Sequence, residues 1–386
     1  MTNEDFKDIA PYGEADFQSN LKELVKEPGF EHAIRYIMPG VDYDAFVAQL
    51  LMLKNTDEFQ IKVMMPFLEM LAKNTTDGIT SDGFDEIKKG DVYTFISNHR
   101  DIVLDASFLN VCLLRYGLPT SEIALGDNLL IFEWIEKLVK INKGFIVKRN
   151  LRLLEAFKAA KQLSSYIRYC LVDKHESVWI AQREGRAKDS NDVTQESVIK
   201  MLALSAGDNV VDGLIQLNIC PTTISYEYDP NDYLKAAEFL QRHRNPEHKK
   251  SQHDDLHAME IGLTGRKGKV HFHLNPCINP ELEKLREVTD KNELFPAICA
   301  IIDKEIHSGY KIFPINYISY DRVTGEDRFA DRYTQADIDA FNAYFEQQLA
   351  KVNLPDLTAE DYEFMRTRMM EMYANPLRNL LQAKGE

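Results

Sequence analysis

The 386-residue chain has no hydrophobic run long enough to cross a bilayer. Its longest apolar stretches, such as 46–53 with one Gln inside, fall far short of the roughly 20 residues a spanning helix needs. A secretory signal is also missing, because Glu4, Asp5, Asp8, Glu14 and Asp16 occupy the place of its cationic and apolar segments. No C-x-x-C pair occurs. The five cysteines, Cys112, Cys170, Cys220, Cys277 and Cys299, are odd in number and scattered. That excludes a disulfide framework or a zinc ribbon and reads as reduced thiols in the cytosol. An excess of positive charge is lacking too. The net charge of −15 argues against a nucleic-acid binder and against simple electrostatic adsorption to an anionic membrane. Internal repeats and low-complexity segments are absent.

What remains is an ordinary globular composition, 44% hydrophobic and 28% charged, long enough for one large domain with extensions or for two domains. Residues 1–85 read as an N-terminal helical region, with helical spacing in 17–25, 32–38, 43–53 and 59–71. Pro66 should kink or split the last of these. A polar, Gly-containing stretch at 74–89 marks the boundary. From there strands and helices alternate. Strands are expected at 92–97, 123–125, 145–147, 177–181, 219–226, 270–274 and 311–316, with helices near 105–116, 128–139, 151–171, 196–204, 233–241 and 293–306. This pattern predicts an α/β domain over 86–320, a mostly parallel mixed sheet flanked by helices. Two helices, at 335–352 and 359–382, form a C-terminal helical extension over 321–386.

Four segments carry chemistry-bearing residues. The first, Ser97-Asn98-His99-Arg100-Asp101-Ile102-Val103-Leu104-Asp105, leaves a strand and enters a helix. Ligands of open α/β sheets bind beyond the carboxyl ends of strands, and a His beside carboxylates there suits general-base work. Taken alone, the segment reads as well as a loop His followed by an Asp helix cap. The second, Gly144 to Arg149, is a strand ending in Lys148 and Arg149, a phosphate-suited pair or a solvated strand end. The third, Ile180 to Lys188, holds Glu184, Gly185 and Arg186, a close-approach turn with cations or a charged surface turn. The fourth, Ile219 to Ser225, contains Pro221. A strand proline implies a place near the sheet edge, or pairing that ends at the proline.

In this order and spacing the four segments resemble the blocks of the glycerol-phosphate and 1-acylglycerol-phosphate (lysophosphatidic acid) acyltransferase family. The resemblance covers about residues 90–230. It implies an acyltransferase fold and transfer of a fatty acyl group, in phospholipid biosynthesis, from a thioester donor to a hydroxyl. His99 would be the base and Asp105 its orienting partner, with Asp101 as the alternative partner. The family separates His and Asp by four residues, and here Leu104 stands at that place, one before Asp105. The family Asp begins the following helix, which favours Asp105. The third block lacks the residue that the family places between Gly and Arg. Lys148, Arg149, Glu184, Gly185 and Arg186 would bind the acceptor's phosphate and hydroxyls.

The resemblance implies no cofactor and no metal, since a thiol is already a good leaving group, and no covalent intermediate. It implies as partners acyl-CoA or acyl carrier protein, a glycerol-phosphate or lysophospholipid acceptor, and a membrane surface met peripherally. The location expected is cytoplasmic, on the inner face of the membrane. Three other readings stand beside it. One is O-acyl transfer to a non-phosphate aminolipid acceptor. Another is a non-catalytic lipid-binding protein that retains the fold. The third is a thioesterase in which His99 activates water.

Other features read as structural. His248, His253 and His257 lie in a polar segment expected to be a solvated loop, and His271 and His273 on one strand face as packed or solvent-facing residues. The basic cluster around Arg242, Arg244, Lys249 and Lys250 reads as a charged linker, and Gly265 to Gly268 as a tight turn. The Met-rich helices at 64–70 and 365–372 read as core, with an acyl-chain groove or a membrane-facing patch as the alternative for one of them.

Overall fold

In the computed structural model, which describes residues 3–386 (the side chains of 3, 4 and 252 aside), seven strands form one mixed sheet. They are β1 Thr76–Asp82, β2 Thr94–Ser97, β3 Glu122–Gly126, β4 Gly144–Val147, β5 Val178–Ala181, β6 Ile219–Tyr226 and β7 Gly268–Leu274. Their order is β1-β7-β6-β2-β5-β3-β4, and every pairing is parallel save β6 with β7. All four residues of β2 and all eight of β6 are buried, as expected of strands covered on both faces.

Strand alternation sorts the two faces. Phe95, Trp179 and Cys220 share one core with the helix Leu104–Arg115. Ile96, Ile180 and Ile219 share the other with the helices Leu153–Tyr169 and Lys291–Ser308. A third cluster joins the helices Gln335–Leu349 and Ala359–Lys384 to Asp232–Arg244, and a fourth gathers Phe17, Phe30, Tyr43 and Phe59 from the N-terminal helices.

Several expectations need correction. The polar stretch at 74–89 contains β1, so the sheet begins before residue 86. Residues 311–316 are not a strand. Pro314 opens the helix Pro314–Thr324, where its missing N–H costs nothing and its fixed φ fits the first turn. That helix straddles residue 320, the expected end of the α/β domain. Residues 252–264 are helical, not a loop, because Ser251 and Asp254 close a reciprocal cap at the start. β6 is not an edge strand. It pairs with β2 through Ile96–Pro221, and its ladder with β7 starts only at Thr222, so no hydrogen bond from residue 221 is needed on that side. Pro66 lies in the first turn of the helix Met65–Thr75, just after a π turn at Gln60–Met64.

Candidate active site

The first block sits where β2 ends. Asn98 is fully buried and clamps the turn to β6: its Nδ2 donates to the Ile224 carbonyl at 2.9 Å, and its Oδ1 accepts from the Ile224 N–H at 2.8 Å. The next residue, His99, brings its Nδ1 within 2.8 Å of Asp105 Oδ2. The same oxygen accepts from the backbone N–H of Arg100 at 2.6 Å and of Asp101 at 3.0 Å. Asp105 lies in the first turn of Leu104–Arg115, where the helix dipole favours negative charge. With Nδ1–H donated to a carboxylate, the ring keeps its lone pair at Nε2.

Asp101 has another task. Its Oδ1 accepts from the Val103 and Leu104 N–H groups at 2.9 and 2.8 Å and caps the helix. Burial and the neighbouring Asp105 push its carboxyl above the ordinary range. The Tyr226 hydroxyl is held far above its usual pKa by burial and by the same two carboxylates.

Three residues with no signal in local sequence complete the surroundings of His99. Trp179 on β5 meets the imidazole edge-on at 5.7 Å, and its Nε1 donates to Ser97 Oγ at 3.0 Å. Arg100 is buried against Asp192 at 2.6 Å, and the Tyr310 hydroxyl donates to the same Asp192 oxygen at 2.6 Å. This ties the His99 turn to the segment following β5. A buried Arg ion-paired in this way holds its neighbours in place.

His99, Lys148, Arg149, Glu184 and Gly185 all line one cavity of about 1210 Å³. Most of its wall is apolar, and the N-terminal helices supply part of it, including Ile34, Phe46, Phe67 and Met70. Thus the Met-rich segment at 64–70 borders the cavity, whereas Met365, Met369 and Met372 are buried core. Lys148 pairs with Asp8, and Arg149 reaches Glu184 at 3.7 Å. Arg149 crosses close above Gly126, where a Cβ would come within 2.6 Å of its Nε. Gly185 turns with φ +69°, a left-handed conformation that glycine adopts without strain.

Arg186 is the exception. It is buried away from the cavity wall, and its charge acts on Asp229, Lys188 and Lys235. Burial and the adjacent Arg186 push the Lys188 ammonium down to about 7. Arg183 lines the cavity instead, with a buried Nε that has no partner among the described residues. Nothing in the local pattern separates it from Arg186, since both follow the end of β5 at Ala181.

No protein-family model matches the chain, and no curated protein matches it. Among solved structures it is similar to the 1-acyl-sn-glycerophosphate (LPA) acyltransferase PlsC from Thermotoga maritima, at 11% identity and a TM-score of 0.36, over 76% of this chain and 95% of that one.

Proposed function

We propose that this chain is an O-acyltransferase that moves a fatty acyl group from a thioester donor to the hydroxyl of a glycerol-phosphate-type acceptor in phospholipid biosynthesis. The observation that carries the reading is the His99–Asp105 pair opening on a large apolar cavity whose wall also holds Lys148, Arg149 and Arg183. His99 Nε2 takes the acceptor's hydroxyl proton as the oxygen attacks the thioester carbonyl carbon. The tetrahedral intermediate collapses, the C–S bond breaks, and the imidazolium returns the proton to the departing thiolate. Asp105 holds the ring in its reactive tautomer and stabilises the imidazolium. The acyl chain lies among the apolar side chains, and the arginines hold the phosphate and so position the hydroxyl.

A second reading rests on the carboxylates. Glu184 already sits near Arg149, and Asp8 pairs with Lys148. A cavity with its cations so matched also suits an uncharged acceptor, such as the hydroxyl of an acylated amino acid. The donor, acyl-CoA or acyl carrier protein, belongs to the proposal in either case.

The membrane belongs to it as well. No helix among the described residues is long and apolar enough to cross one. Yet Leu153, Leu154 and Phe157, at the start of Leu153–Tyr169, are 91%, 68% and 56% exposed. They follow Leu151, which lines the cavity. An enzyme drawing a lipid acceptor from a bilayer needs such a surface beside its entrance.

The test is thiol release from palmitoyl-CoA with lysophosphatidic acid, or with an uncharged acylated amino acid, and with His99→Ala alongside. Release that needs lysophosphatidic acid, disappears in His99→Ala and weakens in Arg149→Ala supports phosphate-directed transfer. Release with the uncharged acceptor and indifference to Arg149→Ala supports the second reading. Release without any acceptor would identify a hydrolase and sink both.

A further inference from the structure

Outside this cavity, β1 and β7 bring three metal-ligating side chains to one face of the sheet. Their parallel register sets Thr80 beside His271 and Asp82 beside His273. His271 and His273 are two apart on one strand, so both rings stand on the same side. One ligand atom from each of Asp82, His271 and His273 lies within 4.8 Å of the other two. None of the three lines the cavity.

The hydrogen bonds already prepare the ring of His271. Thr80 Oγ1 donates its one proton to the Val270 carbonyl at 3.2 Å. With its proton so placed it can accept from His271 Nδ1–H, 2.8 Å away. In that tautomer His271 Nε2 presents its lone pair 3.5 Å from Asp82 Oδ1. Tetrahedral ligands bound at 2.0–2.1 Å stand about 3.4 Å apart, close to the 3.5 Å between His271 Nε2 and Asp82 Oδ1. Asp82 Oδ1 also accepts from His273 Nδ1 when no ion is present. The Thr80 hydroxyl plays the outer-shell part that fixes the tautomer and aim of a ligating imidazole.

We propose that Asp82, His271 and His273 form a binding site for a divalent transition-metal ion of the zinc class, separate from the acyl-transfer site. Two imidazoles and a carboxylate suit zinc better than magnesium or calcium, which prefer oxygen alone. Asp82 is 61% and His273 30% exposed, so solvent completes the coordination. Lys311 is the cation whose charge reaches both Asp82 and His271, and it tempers the affinity. Because β1 and β7 are distant in sequence, an ion bridging them pins the edge strand to the sheet and stabilises the folded chain by mass action.

The test uses the full chain stripped with chelator and titrated with zinc chloride alone, read by calorimetry and by thermal melting. One ion is expected to bind and raise the melting temperature. Asp82→Asn, a change at an exposed position that leaves folding intact, should weaken binding at least tenfold, as should His273→Ala. Lys311→Met should strengthen it. Cobalt(II) should give the visible absorption of a four- or five-coordinate site in the parent and lose it in Asp82→Asn. No uptake of zinc by the parent, or uptake unchanged in both Asp82→Asn and His273→Ala, overturns the proposal. Neither result touches acyl transfer, which is measured on the same preparations.

Discussion

At the scale of single residues, His99 and Asp105 do different amounts of structural work. His99 offers one side-chain hydrogen bond and sits in the cavity wall. Asp105 accepts from the ring and from two backbone N–H groups in a fully buried turn. His99→Ala should cut turnover by about 10²–10⁴ with little change in melting temperature. Asp105→Ala should cut it comparably and also cost about 1–3 kcal/mol of stability, because two buried donors lose their acceptor. Thiol release and thermal melts of the two variants check this, and an Asp105→Ala as stable as the parent would contradict it. His99 was legible in the sequence, but its spacing left Asp101 and Asp105 both open as partner, and only the family resemblance favoured Asp105, which the structure places 2.8 Å from the ring. Trp179, Asp192 and Tyr310 were not legible, because each joins the site from across the fold. Arg186 was misread in another way: the turn at Gly185 directs it into a buried charged cluster while Arg183 faces the cavity. Asp82 was invisible as a partner of His273, which lies 191 residues away.

At the scale of elements, periodicity was readable wherever a segment buries a consistent face. It failed at β1, whose sequence Thr-Asp-Gly-Ile-Thr-Ser-Asp has little apolar content because the strand lies at a partly exposed edge. It failed at 311–316, where an apolar run spans a helix start. The helix Gln252–Thr264 had a local signal, the Ser-x-x-Asp cap, in a segment read by its polarity alone.

Two predictions belong to this scale. The helix Met65–Thr75 lines the cavity through Met70. Filling that space with Met70→Trp should move the preferred donor to a shorter chain. Each methylene that no longer fits forfeits about 0.8 kcal/mol, so palmitoyl transfer should fall about tenfold or more relative to lauroyl transfer. An unchanged chain-length profile would place the acyl chain elsewhere. The second concerns the docking of the C-terminal helices on Asp232, which accepts from the Tyr344 and Tyr373 hydroxyls at 2.6 and 2.7 Å. Burial pushes its carboxyl up to about 6 from an ordinary 3.8. The folded state thus holds this proton more tightly than the unfolded chain does. Its stabilising contribution is complete below about pH 4 and is lost as pH rises through about 6, by roughly 3 kcal/mol. Urea midpoints across that range should show the parent losing stability relative to Asp232→Asn, which has no proton to lose. A constant difference between the two would sink the argument.

At the scale of the whole molecule, a chain with net charge −15 has no general attraction to an anionic bilayer, so any docking must be local. The start of Leu153–Tyr169 supplies the local conditions. Leu153, Leu154 and Phe157 stand out from the surface, and Arg152, Lys158 and Lys161 beside them outnumber the one acid, Glu155. Leu153 and Phe157 are one turn apart on the same face, so a lipid surface docked there would meet both together. On the proposed function, a lipid acceptor drawn from the bilayer would enter the cavity beside Leu151, which lines it. Moving two such side chains from water into acyl chains is worth a few kcal/mol. The double variant Leu153→Glu, Phe157→Glu should therefore lose co-flotation with anionic vesicles and lower turnover of vesicle-borne lysophosphatidic acid at least about tenfold. Turnover of a water-soluble butyryl thioester with glycerol phosphate should be unaffected, because neither side chain touches the reacting groups. Equal loss on both substrates would mean the substitutions damage the cavity itself. Equal flotation of parent and variant would mean that the chain meets its lipid through some other face.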